Sequence, residues 1–197
     1  MLKHQLHKIP QITKSFSVGP VYRNLIYQMM MLNLHKNVLE IGCLNGYSTS
    51  AFITALKNRA EFDFTICDKR MDRDVIRLAK SSPKEVSIKE CRSVEVIDPS
   101  FDFIFVDGDH TISSVGPEIK LLLESETKSI LAHDTFITHV SKFWGAVLLR
   151  QVFSNHRDYW TVQDHSTNEH FRRLGLSFFT RDEEIHKAVK PLFENIT

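Results

Sequence analysis

From Pro20 onward, Val21, Leu25, Met29 and Leu32 recur every three or four residues, the spacing of one helical face with proline in the first turn. The Met29-Met30-Met31 run falls on this helix, where packing is the ordinary use of methionine and a flexible binding face the alternative. After Asn33 short apolar runs alternate with helical patterns. Val38–Ile41, Phe62–Cys67, Val86–Glu90, Phe101–Val106 and Ser129–His133 read as strands, with helices over 47–57, 71–80 and 112–124 between them. That rhythm belongs to a parallel sheet covered on both faces. Phe103-Ile104-Phe105-Val106 is apolar throughout, as a central strand buried on both sides requires. A further helix is expected over Lys142–Phe153. Tyr159–Val162 and Leu176–Thr180 close the sheet, the latter as an antiparallel return after Gly175.

No Pro/Gly/Ser-rich linker, internal repeat or low-complexity tract divides the chain. The expectation is one α/β domain over residues 1–197. Its doubly wound, mostly parallel seven-stranded sheet would have an antiparallel edge strand and lie in three α/β/α layers. Residues 1–33 would form a helical lid or an interface with a second copy.

Composition narrows the partners. The 197 residues are 42% hydrophobic and 25% charged, enough for a full core and too balanced for a disordered chain. A net charge of +1 argues against a strongly basic nucleic-acid binder. No apolar run reaches the length of a membrane span, and Met1–His7 has no signal-peptide character. Cys43, Cys67 and Cys91 form neither a disulfide framework nor a close metal knuckle, and Cys67 and Cys91 read as packing residues. These features together point to a cytoplasmic protein without a membrane or nucleic-acid partner.

Chemistry first appears at Val38-Leu39-Glu40-Ile41-Gly42-Cys43-Leu44-Asn45-Gly46-Tyr47-Ser48, where a strand ends in a two-glycine turn and a helix follows at once. Gly42 permits a sharp turn, and Gly46 admits a ligand or a helix backbone where a Cβ would obstruct it. The free N–H groups of the helix start then face the ligand. Cys43, Asn45, Tyr47 and Ser48 are the side chains set around this turn. The G-x-x-x-G spacing is not the three-glycine dinucleotide fingerprint, and no Walker lysine precedes Ser48. The alternative is a purely structural turn. Asp68 ends the second strand about twenty residues on, where an acid accepts hydrogen bonds from a ribose diol; capping the next helix is its alternative. Lys69 adjoins it, with a surface position as the alternative. At the end of the third strand Arg92 and Ser93 stand where an adenine ring would lie, with Ser93 either bonding the ring edge or capping a short helix.

A second cluster follows. Strand four ends in Asp107-Gly108-Asp109-His110, and strand five in His133-Asp134-Thr135. Parallel neighbours deliver these ends to one edge, so Asp107 and Asp134 can meet despite their separation in sequence. Two carboxylates with open water positions suit Mg²⁺, whereas His133 as a third ligand shifts the preference toward Mn²⁺, Zn²⁺ or Fe²⁺. Helix capping is the alternative for both acids, and Asp109 reads as a turn residue. His110 shares the turn of Asp107 and is the candidate proton acceptor, against a plain surface histidine.

Together these residues resemble the class I S-adenosylmethionine-dependent methyltransferases, whose first motif matches Glu40–Ser48 and whose ribose-binding acid matches Asp68. Phe103–His110 is closer still to their metal-dependent small-molecule O-methyltransferases, a subgroup that includes enzymes acting on macrolide sugars. The similarity runs from about Val18 to Arg181 and takes in Phe143–Val147 and Leu174–Leu176. It implies a Rossmann-like fold, S-adenosyl-L-methionine as cofactor, and methyl transfer to a hydroxyl of a small-molecule acceptor. By this resemblance Glu40 organises the methionine end, and Gly42 and Gly46 line the cofactor. Asp68 then holds the ribose, Asp107 and Asp134 bind Mg²⁺ or another divalent ion, and His110 takes the proton. His133 stands where relatives often have an acid, and Leu123–Lys128 lacks the usual Pro-Gly-Gly turn.

Two other classes compete: a nicotinamide-dependent oxidoreductase, and a non-catalytic relative that binds cofactor or protein. Trp144 and Trp160 are expected over the acceptor side of the cleft, as packing or substrate contacts. Arg172 and Arg173, near His165 and His170, form a basic loop that solvent or an anionic group would face.

Overall fold

The computed structural model of the chain describes residues 18–58, 60–137, 140–168 and 173–196. Met1–His7, His139, His170 and Arg172 lie outside the described residues, as does most of the segment before the first helix. The elements are α1 (Pro20–Met31), β1 (Asn37–Ile41), α2 (Tyr47–Lys57), β2 (Asp63–Asp68), α3 (Arg73–Lys80), β3 (Val86–Glu90) and β4 (Phe103–Val106). They continue with α4 (Ile112–Glu124), β5 (Ser129–His133), α5 (Trp144–Ser154), β6 (Trp160–Asn168), β7 (Arg173–Thr180) and α6 (Glu183–Glu194). Short 3₁₀ turns at Ser93–Glu95 and Ser141–Phe143 precede β4 and α5.

The seven strands lie in the order β3-β2-β1-β4-β5-β7-β6. The first five are parallel; β7 runs antiparallel between β5 and β6, so the return expected after Gly175 is present and β6 forms the outer edge. Strand order reverses between β1 and β4, which places a crevice at their carboxyl ends.

Alternation along β4 shows how the sheet divides two cores. Phe103 and Phe105 pack with Tyr22 of α1, Phe52 of α2, Val75 of α3 and Ile185 of α6. Ile104 and Val106 face the other way, onto Val115 and Leu122 of α4 and Leu149 and Phe153 of α5. All four β4 residues are buried, as expected of a strand with helices on both faces. Met29 and Met30 are core residues of α1.

Three differences from the sequence reading have local causes. Helix α6 went unread; Asp182 caps it by accepting from the Glu184 and Ile185 amides, and Ile185, Val189 and Phe193 bury one face. Strand β6 runs on through polar Gln163–Asn168 because backbone pairing to β7 requires no apolar side chain. Trp160 begins β6 opposite Thr180, which itself pairs with Ser129. It therefore sits at the end of the sheet away from the crevice and does not cover an acceptor. The loop that lacks Pro-Gly-Gly turns instead at Glu126, whose φ is +55°. Among the described residues no helix is long and apolar enough to cross a membrane.

Candidate functional site

The crevice at the strand-order reversal is a cleft of about 460 Å³. Its floor begins with Gly42, whose φ of +81° follows β1 directly. A β-carbon there would lie 2.3 Å from the carbonyl oxygen of Asp107, so glycine lets the ends of β1 and β4 touch. The Asp107 amide donates to the Ile41 carbonyl at 2.8 Å, fixing that contact. Gly46 has a different reason to be glycine. It caps α2 with φ +85°, and a β-carbon would meet the Leu78 side chain at 2.6 Å, so helix packing occupies the space.

Asp68 serves as the clamp of this loop. One carboxylate oxygen accepts from the Cys43 amide at 3.0 Å and the Leu44 amide at 3.2 Å, while the other accepts from the Arg70 amide at 3.2 Å. A carboxylate offers about four acceptor sites, so about one remains for a ligand hydroxyl rather than the two a diol would use. The two amides bound to one oxygen hold Leu44 in the left-handed region, at φ +42°.

Glu40 is wholly buried behind the loop. Its carboxyl oxygens accept from the hydroxyls of Ser48 and Thr49, the latter at 2.7 Å, tying the first turn of α2 to β1. Burial pushes its pKa up to about 8, against the opposing pull of the two hydroxyls. Glu40, Asn45, Gly46 and Tyr47 are not among the residues that line the cleft, whereas Gly42, Cys43, Ser48, Asp68, Lys69, Arg92, Ser93 and Asp107 are. The Arg23 guanidinium of α1 instead lies 4.4 Å from the centre of the Tyr47 ring.

At the other end of the cleft the Ser93 hydroxyl donates to Glu118 of α4. Glu118 is buried, its pKa raised by that burial, and it lines the cleft. Sequence reasoning missed it; the signal was Ser114 and Glu118 one helical turn apart, both facing the site. The sulfurs of Cys67 and Cys91 lie 3.7 Å apart in the same wall, and burial pushes the Cys67 thiol up to about 12. Lys69 is exposed and pairs with Asp109 at 3.3 Å across the mouth. Asp109 itself accepts from the Ser114 hydroxyl and the Thr111 amide at the start of α4, which holds its pKa near 2.

Asp107, Asp134, His110 and His133 form a compact group. His133 Nδ1 stands 2.9 Å from Asp107 Oδ1 and 3.2 Å from Asp134 Oδ1. His110 Nε2 stands 3.1 Å from Asp134 Oδ2 and 3.4 Å from Asp107 Oδ1. Asp107, His110 and Asp134 each offer a ligand atom within 4.8 Å of the others. Asp134 reaches this position from φ +59°, an uncommon conformation for a side-chain-bearing residue. Burial alone would lower both imidazole pKa values, but Asp107 and Asp134 reverse the direction, and His110 is pushed up to about 10. Burial raises Asp107, and the two rings more than offset it. The buried Asp134 and the largely covered Asp107 are thus balanced by two rings.

Packing holds these rings. Phe143 stacks on His110 with centroids 5.6 Å apart, and the edge of Tyr22 meets His133 at the same distance. The Gly145 amide donates to the His110 carbonyl at 2.8 Å, docking α5 on the Asp107–His110 turn. Trp144, half exposed, opens α5 beside this contact. His165 packs against Phe136 with centroids 4.4 Å apart, and the side chain of Arg173 is outside the described set.

Residues 39–135, which run from within β1 to just beyond β5, match a family model described as a methyltransferase domain. Comparison with curated proteins gives no match. Among solved structures the chain is similar to the O-methyltransferase TomG from Streptomyces achromogenes, in complex with S-adenosylmethionine, at 13% identity and TM-score 0.65 over 89% of this chain and 86% of that one. An O-methyltransferase from Bacillus cereus, in complex with S-adenosylhomocysteine, gives 16% identity and TM-score 0.63 over 91% and 89%. A putative caffeoyl-CoA O-methyltransferase from Staphylococcus aureus gives 16% and 0.60, again over 91% and 89%. At these identities the structures speak to the fold, and the family match speaks to the activity. The chain is a class I S-adenosylmethionine-dependent methyltransferase.

Proposed function

We propose that this methyltransferase acts on the hydroxyl oxygen of a small molecule, with a divalent ion at Asp107 and Asp134. The observation that carries the reading is convergence. The Gly42 turn, Asp68 and the Asp107–Asp134 pair open into one cleft of about 460 Å³, a size that suits a nucleoside cofactor and a small acceptor. O-methyl transfer is also the activity named for the TomG and Bacillus cereus structures.

The residues fit a cation. The largely buried carboxylates of Asp107 and Asp134 converge with imidazole nitrogens beside them, and a cation there would supply the positive charge that the protonated rings otherwise provide. When bound, the cofactor supplies an electrophilic sulfonium methyl group, and the ion supplies charge that orients the acceptor oxygen. Asp68 takes one ribose hydroxyl on its remaining acceptor site. Ser93 and Glu118 form the polar wall for the adenine end, flanked by Arg92 and Lys69. Glu40 shapes the methionine end indirectly by holding the first turn of α2. His110 would serve as proton acceptor at Nε2 only in its neutral form, which Asp107 and Asp134 disfavour unless a cation offsets their charge; it stands where Phe143 and Lys142 border the opening. Alignment of oxygen and methyl then follows from rigid strand ends.

The reading is tested by incubating the protein, S-adenosylmethionine and hydroxylated small molecules with and without divalent ions, and measuring S-adenosylhomocysteine. Ion-dependent product that falls at least a hundredfold in Asp107→Asn supports it. An Asp107→Asn protein that binds cofactor and turns over at the wild-type rate without metal removes the ion's role. Turnover confined to amines removes the hydroxyl acceptor.

A further inference from the structure

We infer that the ion of this cluster is a first-row transition divalent ion bound through an imidazole nitrogen, and that Mg²⁺ is a poor occupant. The inference rests on the metal-assisted reading above and narrows it. Ligands at about 2.1 Å from one ion stand about 3.0 Å apart at right angles and about 3.4 Å apart in a tetrahedron. The ring-nitrogen to carboxylate-oxygen spacings here are 2.9, 3.1, 3.2 and 3.4 Å. These are the distances of the rings' own contacts to the carboxylates, including the His133–Asp107 hydrogen bond, so an ion that displaces a ring proton to solvent and engages both carboxylates comes within bonding reach of a ring nitrogen.

Spacing alone would suit Mg²⁺ too; the donor chemistry separates the candidates. Mg²⁺ takes oxygen ligands in a near-ideal octahedron and keeps its waters, whereas imidazole favours Mn²⁺, Fe²⁺, Co²⁺ and Zn²⁺. Each ring directs its polar contacts to the carboxylates through one nitrogen only. His133 Nε2 and His110 Nδ1 are buried without a hydrogen-bond partner among the described residues. Packing on Tyr22 and Phe143 sets the rings, so the inward nitrogens cannot swing away to leave an all-oxygen site. His133, with the shorter contacts, is the assigned ligand.

The full chain, stripped with a chelator, is titrated calorimetrically with MnCl₂, CoCl₂ and MgCl₂, and the Mn²⁺ form is examined by electron spin-echo modulation. Mn²⁺ and Co²⁺ binding at least tenfold tighter than Mg²⁺, with ¹⁴N modulation that disappears in His133→Asn, is the expected result. Mg²⁺ binding within threefold of Mn²⁺, or Mn²⁺ without nitrogen modulation, overturns the inference while the metal-assisted reading stands. Binding of no ion overturns both. Modulation lost in His110→Asn instead supports the ion class and moves the ligand to His110. S-adenosylhomocysteine binding by each variant controls for folding, and His133→Asp, which restores an oxygen donor, is expected to bring Mg²⁺ affinity up toward that of Mn²⁺.

Discussion

Replacing Glu40 by glutamine isolates one buried ionisable group without touching the wall of the cleft. Glu40 is fully buried, and burial raises its pKa from 4.5 to about 8. Between those values the folded protein holds a proton that the unfolded chain has released. Stability therefore falls as pH climbs through this interval and stays lower above it. At about 1.4 kcal/mol per pH unit the interval is worth about 5 kcal/mol. Glutamine cannot ionise and asks the Ser48 and Thr49 hydroxyls only to reorient, at a cost of about 1 kcal/mol. Urea unfolding from pH 5 to 9 is the assay. The variant is expected within about 1 kcal/mol of wild type at pH 5.5 and more stable by roughly 3 to 5 kcal/mol at pH 9. Parallel curves for the two proteins would refute the buried-carboxyl argument.

Gly42→Ala places a β-carbon against the Asp107 carbonyl at a positive φ, so S-adenosylhomocysteine affinity, measured calorimetrically, is expected to drop at least thirtyfold. Gly145→Ala sets a β-carbon 2.5 Å from the His110 and Thr111 carbonyls; turnover is expected to fall tenfold or more while cofactor affinity stays within threefold. His35, buried on Phe103, has its pKa lowered from 6.5 to about 4 by burial. The unfolded chain takes up that proton first, so acidification from pH 6.5 to 4 costs about 3 kcal/mol, and His35→Leu is expected to flatten the slope in urea titrations.

The sheet was legible because burial on both faces leaves an apolar run such as Phe103–Val106, and helix periods such as Val115, Ile119 and Leu122 stand out between runs. Polar residues hid the continuation of β6 beyond Val162, since an edge strand is fixed by its backbone partner rather than by its side chains. The spacing of Ile185, Val189 and Phe193 carried α6, so that omission was one of reading. In the site, strand ends told which residues would converge but not how they would be shared. Asp68 spends most of its acceptor capacity on the Cys43, Leu44 and Arg70 amides, and the space a β-carbon at Gly46 would take is filled by Leu78 of α3. Such assignments depend on contacts between elements distant in sequence, which no local pattern encodes.

The central claim is that the nucleoside-holding and the ion-holding residues serve one reacting centre. A crystal structure of the chain grown with S-adenosylhomocysteine and MnCl₂ tests it most directly. The account predicts the ribose at Asp68, the sulfur directed toward Asp107 and His110, and the ion on Asp107 and Asp134 beside it. Cofactor seated elsewhere, or an ion bound away from the sulfur, would contradict it.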